Sequence, residues 1–201
     1  LDVTRQKLLL RHSTIHNCQG YGLAVDSAKV QLYNCQLSNT LNHTLSVKGG
    51  DVEVNGCTIA QFYPFDGRRA TAIGIVPPIL NLKVMNSIVT GYHDDEVVWT
   101  SPKNDEVCNF SFDHCVLRTE KMNTEDSLKF TNTIYENLKD TTQFGEKHFR
   151  LVDTDNLKYD FRLRKESAAI GVADAVSSLP TDRRGVLRDD KPDAGCYEFD
   201  E

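Results

Sequence analysis

Between Val30 and Leu37 the apolar side chains change parity: Val30 and Leu32 are even-numbered, Cys35 and Leu37 odd-numbered, and the switch falls at Asn34. A β-strand sends alternate side chains to opposite faces, so one face keeps one parity along a strand. A switch at a single residue therefore means two short strands joined by a one-residue bend. The pattern recurs as Leu8, Leu10, His12, Ser13, Ile15 and as Val52, Val54, Gly56, Cys57, Ile59. It continues as Leu82, Val84, Asn86, Ser87, Val89, then Phe110, Phe112, His114, Cys115, Leu117, and last Leu128, Phe130, Asn132, Thr133, Tyr135. The bend column reads His12, Asn34, Gly56, Asn86, His114, Asn132, residue types that tolerate positive φ at low cost.

A second polar or glycine column, Asn17, Asn39, Gln61, Gly91 and Asn137, marks the next corner, and a third strand per repeat reads Leu23-Ala24-Val25, Leu45-Ser46-Val47, Ile73-Gly74-Ile75 and Val97-Val98-Trp99. From Ser13 through Cys35, Cys57, Ser87 and Cys115 to Thr133 the steps are 22, 22, 30, 28 and 18 residues. That is one coil of a solenoid with insertions or a deletion at its corners. Parallel crossovers are right-handed, so the expected fold is all-β: a right-handed parallel β-helix with three short strands per coil. Residues 1–137 form the coils and 138–201 an irregular C-terminal cap, because an open solenoid ends in a strand edge that must be covered. At the other end Leu8 to Ile15 already reads as a full coil, so either further coils precede the chain or Leu1 to Lys7 forms a small cap. Cys35, Cys57 and Cys115 fall in one inward column and read as small buried side chains.

With 201 residues, 39% of them hydrophobic, the chain is long enough for a sizeable core. Its net charge of -6 argues against nucleic acid and anionic membranes as partners, which call for clustered Lys and Arg. No apolar run reaches the roughly 18 residues that span a bilayer. The six cysteines show no C-x-x-C pair or zinc spacing. Oligomeric state leaves no mark in these residues.

After Asn137 the repeat dissolves. The tail carries Phe149-Arg150-Leu151-Val152-Asp153, Tyr159-Asp160-Phe161-Arg162-Leu163, Ser167-Ala168-Ala169-Ile170, Leu179-Pro180-Thr181-Asp182-Arg183-Arg184-Gly185-Val186-Leu187-Arg188 and Pro192-Asp193-Ala194-Gly195-Cys196-Tyr197-Glu198-Phe199. In this order the motifs resemble the C-terminal block of pectate-lyase-like β-helix surface proteins of Bacteroidetes-type bacteria, the block called the choice-of-anchor Q domain. Ala168 and Gly171 depart from that pattern, which has Pro and Asp there. The resemblance implies an extracytoplasmic location, secreted, periplasmic or surface-anchored, and an association with polysaccharide or oligosaccharide.

Function on a solenoid tends to lie where corners lengthen. One insertion runs from Phe62 to Thr71, and another from Thr100 to Glu106. The first occupies the same corner as Leu41–Thr44 and Tyr92–Glu96, which stacks His43, Asp66, Arg68, Arg69, His93, Asp94 and Asp95 in one region bordered by Phe62, Tyr63, Phe65 and Tyr92. In a polysaccharide lyase a cation neutralises a uronate while a base removes the adjacent proton, casting Arg68, Arg69 and His93 as catalytic candidates, with Asp94 and Asp95 as candidate Ca²⁺ ligands. In an inverting glycosidase two carboxylates stand about 6.5–9.5 Å apart, which Asp66 with Asp94 or Asp95 would supply. His43, Tyr63 and Tyr92 are the candidate substrate contacts. A charged corner is equally what a solvated turn looks like, so a non-catalytic surface, adhesion or structural module is the alternative, and enzyme status is open. Asn42-His43-Thr44 and Asn109-Phe110-Ser111 have the form of glycosylation sequons, which a bacterial origin would leave unused.

Overall fold

The computed structural model describes residues 1–121 and 129–200. Its first coil consists of β1 (Asp2–Thr4), β2 (Lys7–Arg11) and β3 (Thr14–Cys18), and its second of β4 (Leu23–Asp26), β5 (Lys29–Tyr33) and β6 (Gln36–Thr40). The third has β7 (Leu45–Lys48), β8 (Asp51–Asn55) and β9 (Thr58–Gln61); the fourth has β10 (Ile73–Val76), β11 (Ile79–Met85) and β12 (Ile88–Gly91). Then come β13 (Val97–Trp99), β14 (Cys108–Asp113) and β15 (Val116–Leu117), and finally β16 (Phe130–Thr131) and β17 (Ile134–Tyr135). Corresponding strands of successive coils pair in parallel, which gives a five-stranded sheet A (β1-β4-β7-β10-β13) and two six-stranded sheets, B (β2-β5-β8-β11-β14-β16) and C (β3-β6-β9-β12-β15-β17). This is a right-handed parallel β-helix with three strands per coil.

The inward columns are the ones that parity selects. Leu10, Leu32, Val54, Val84, Phe112 and Phe130 stack in register along sheet B. Ile15, Leu37, Ile59, Val89, Leu117 and Tyr135 do so along sheet C. Leu128, assigned to the last copy, lies outside the described residues. The bend residues His12, Asn34, Gly56, Asn86, His114 and Asn132 all have φ between 48° and 61°. In the second corner column the backbone differs from one residue to the next. Asn17 and Asn39 have positive φ, whereas Gln61 and Gly91 close strands β9 and β12. Their reasons are different. The Gln61 amide bridges Thr40, Asn42 and Ala70 across the corner, and a Cβ on Gly91 would meet the Glu96 carboxylate at 2.1 Å.

Cys35, Cys57 and Cys115 are buried free thiols, and burial holds the last near pKa 12. The column they share with Ser13, Ser87 and Thr133 also has a bonding logic beyond size. Ser13, Cys35, Ser87, Cys115 and Thr133 each donate to the carbonyl two residues back, and the Cys57 amide donates to Ser87 Oγ at 3.0 Å. A short side chain with an O–H or S–H satisfies backbone groups that the bend leaves open.

At the N-terminus Leu1 to Lys7 contributes β1 and the first residue of β2. Val3 faces inward in register with Val25, and β1 continues sheet A. The tail contains an antiparallel hairpin of β18 (Phe149–Asp153) and β19 (Lys158–Leu163), and it is laid along the flank of the solenoid. Phe149, Phe161, Leu163, Ala194 and Cys196 pack on Ala60, Ile88 and Val116, outward residues of sheet C. The rest of the tail steps down the bend column. Asp174 N donates to Asn86 Oδ1 (2.8 Å), Asn55 Nδ2 to Ser177 O (2.8 Å), Asn34 Nδ2 to Thr181 O (2.7 Å) and His12 Nδ1 to Arg183 O (3.3 Å). The buried Arg188 guanidinium ties this run to Asn34, Glu198 and the Gly195 carbonyl. Apolar side chains on the outside of sheet C need covering as much as the open strand edge does, and this explains where the tail lies.

Candidate functional site

The corner between sheets C and A stacks as the alignment requires. Ala70 N donates to Leu41 O at 2.8 Å, and the His93 imidazole Nε2 reaches Arg69 O at 2.9 Å. The lengthened loop thus lies between the His43 and His93 turns. Two of its charged groups, however, satisfy each other. Arg68 makes a two-pronged contact with Asp66 (2.8 and 3.1 Å), and the guanidinium draws the Asp66 carboxyl down to about 2. Arg69 lies over the Tyr92 ring, 4.6 Å from its centroid, while the Tyr92 hydroxyl donates to Glu146 Oε1 at 2.9 Å. Burial pushes that phenol up to about 12. His93 spends Nε2 on Arg69 and its carbonyl on Arg118.

Phe62 and Tyr63 of the aromatic border are packed inside, while Phe65 is 65% exposed. Tyr63 is buried with its ring against Phe65, and Phe62 is wholly buried between Tyr92 and the tail rings Phe149 and Phe161. Phe62 has the outward parity of Ala60 and so belongs under the tail. Asp95 Oδ1 accepts from Thr119 Oγ1 (2.9 Å) and Glu120 N (2.8 Å), while Asp94 is exposed. Among the described residues no three His, Cys, Asp or Glu side chains converge to hold a metal ion.

The group that organises the corner is Glu96. It occupies the column of Gly22, Thr44 and Ala72, one residue before the in-register Leu23, Leu45, Ile73 and Val97, and it is fully buried. Its carboxylate accepts from Ala72 N (2.6 Å) and His93 N (2.8 Å), which ties two coils together. Burial pushes its pKa up to about 8 against the lowering by these amides and by Arg118 and Arg69. The sequence carries a signal for this: an acid in a column otherwise filled by small or hydroxylated residues.

His43 lies elsewhere, on the outer face of sheet A. Its Nδ1 stands 3.0 Å from Thr71 Oγ1 and 3.3 Å from Thr71 O. A carbonyl only accepts, so Nδ1 carries the proton and Nε2 keeps its lone pair. Burial lowers the imidazole pKa, which favours this neutral form. The ring stacks on Tyr21, itself 40% exposed, at 6.4 Å between centroids. Beside the pair, Ala24, Ser46, Gly74 and Val98 lie side by side and form a low floor across four coils. Gly74 is the residue that admits the imidazole, since a Cβ there would meet the His43 ring at 2.5 Å. Gly74→Ala is therefore expected to leave the coils intact, to displace His43, and to shift its imidazole resonances in an NMR titration. Unmoved resonances would show that the ring does not rest on this floor.

The fold and this face define a parallel β-helix with one flank covered and one face open. Comparison with protein-family models, curated proteins and solved structures found no match to this chain. No helix among the described residues is long and apolar enough to cross a membrane.

Proposed function

We propose that this β-helix is an extracytoplasmic carbohydrate-binding protein that holds an extended polysaccharide along the outer face of sheet A. The observation that supports the reading is the Tyr21–His43 ring pair beside the floor of Ala24, Ser46 and Gly74. Stacked rings with exposed edges next to small side chains suit a chain of sugar rings, which pairs apolar ring faces with hydroxyls. Binding is favoured over bond breaking because Asp66, Arg68, Arg69 and His93 are engaged with one another and with Tyr92. The finer identity, a pectate-lyase-like surface protein with a choice-of-anchor type tail, rests on the order of the tail motifs and is part of this proposal.

Retention on immobilised pectic, alginate and glycosaminoglycan polysaccharides, together with neutral glucans and mannans, tests the reading. Tyr21→Ala is expected to weaken retention about tenfold at unchanged melting temperature. Equal retention of the wild type and Tyr21→Ala, or none on any polymer, would remove sheet A from consideration. Release of unsaturated uronate that disappears in a His43→Ala variant would convert the binder into a lyase with His43 Nε2 as its base.

A further inference from the structure

A second place on the surface has the lining of a ligand site. Where the hairpin leans over the first two coils, a cleft of about 260 Å³ opens between β19 and the outer face of β3 and β6. His16 and Ser38 lie side by side on its floor with Gln36 and Asn39 next to them. Tyr159 and Phe161 form the wall, their rings stacked 5.9 Å apart at 6°.

The polar groups here are in excess of what the protein itself pairs. Ser38 is 1% exposed, yet its hydroxyl has no hydrogen-bond partner, and neither has the buried Tyr159 hydroxyl. Buried hydroxyls are nearly always bonded, so two unbonded ones on residues of a single cleft point to a further partner there. Gln36 accepts from the Tyr197 hydroxyl through Oε1 (3.0 Å), and Asn39 accepts from Phe62 N through Oδ1 (3.1 Å). This fixes both amides with their oxygens engaged and their NH₂ groups available as donors. No Asp, Glu, Lys or Arg lines the cleft.

We propose that this cleft binds one ring of a neutral sugar, with Ser38, Tyr159 and the two amides bonding its hydroxyls. Uncharged donors and acceptors beside an aromatic wall match a neutral polyol, while the Arg183 guanidinium at the Thr14 edge is already held by Thr14 and Tyr197. The inference rests on the carbohydrate reading and narrows its class, at a site separate from sheet A.

The test is an NMR titration of the protein with the methyl glycosides of glucose, galactose, mannose and N-acetylglucosamine, with galacturonate alongside. At least one neutral glycoside is expected to saturate and to shift amides around Ser38 and Tyr159. Ser38→Ala and Tyr159→Phe should each weaken that binding about five- to tenfold without lowering the melting temperature, since each removes a hydroxyl the fold leaves unpaired. Absence of saturation with every neutral glycoside, which would leave a cleft filled by water only, overturns the proposal. So does equal affinity for galacturonate, or unchanged affinity in both variants. Polymer retention that depends on Tyr21 while the cleft stays silent sinks this inference alone. A cleft that binds while no polymer is retained sinks the sheet A reading instead.

Discussion

Replacing Asn86 by alanine is expected to lower stability by about 3–5 kcal/mol, and replacing it by glycine by about 1–2 kcal/mol less than that. Asn86 has φ 51°, its Nδ2 donates to Asn55 Oδ1 (3.0 Å) and Ser177 Oγ (3.1 Å), and its Oδ1 accepts from Asp174 N (2.8 Å). Alanine loses these bonds and must also hold a left-handed backbone with a Cβ. Glycine loses the bonds alone. Urea unfolding of the three proteins separates the two contributions. Equal losses in both variants would mean that the column is not selected for positive φ. A glycine variant as stable as the wild type would mean that the contacts to the tail contribute nothing.

Stability is expected to fall by about 3–4 kcal/mol as pH rises from about 5 to about 8, and Glu96 is the main cause. Its carboxyl has an ordinary value of 4.5 and is pushed to about 8 by burial. Below 4.5 the group is protonated in both states. Between the two values the unfolded chain ionises while the folded one resists, so the stabilising difference is lost with rising pH. Asp193, raised by burial from 3.8 to about 6, acts with the same sign over a lower window. Glu136 is lowered by His148, Thr90 and Arg118 against the opposing effect of burial, so its contribution is lost only as pH falls below the ordinary carboxylate range. Thermal melts across pH 5 to 8 should show the decline in the wild type and a flatter profile in Glu96→Gln. A flat wild-type profile, or an unchanged slope in the variant, would contradict the assignment.

The strand ladders and the bend residues were legible because each is set by neighbours one or two positions away. Parity assigns Val30 and Leu32 to the interior, and a one-residue bend restricts Asn34 whatever lies around it. The corner stacking of the Leu41, Arg69 and His93 turns was legible for a related reason, since a coil places each turn above the last. The roles of those side chains were not. A charged group reads the same in a chain whether it meets substrate or a neighbour, and only the fold shows that Arg68 closes on Asp66 and that Tyr63 is turned inside.

Glu96 stood in plain sight as the last member of an acidic run, and only its column of small or hydroxylated residues sets it apart from a surface acid. Its depth follows from its column, one step before the inward Val97, where burial is decided by the coils on either side. Ser38 is similar. Its outward parity predicts a solvated hydroxyl, and the hairpin from far along the chain encloses it.

Taken alone, the order of residues determined the coil, its three strands, its inward columns and its left-handed bends, because these depend on local backbone geometry and on a two-residue period. The tertiary structure alone decided where the tail lies, which outward groups it covers, and which charges find partners. Those outcomes come from contacts such as Asp174 with Asn86 and Phe161 with Phe62, whose members lie far apart in the chain and whose energies depend on distance and burial.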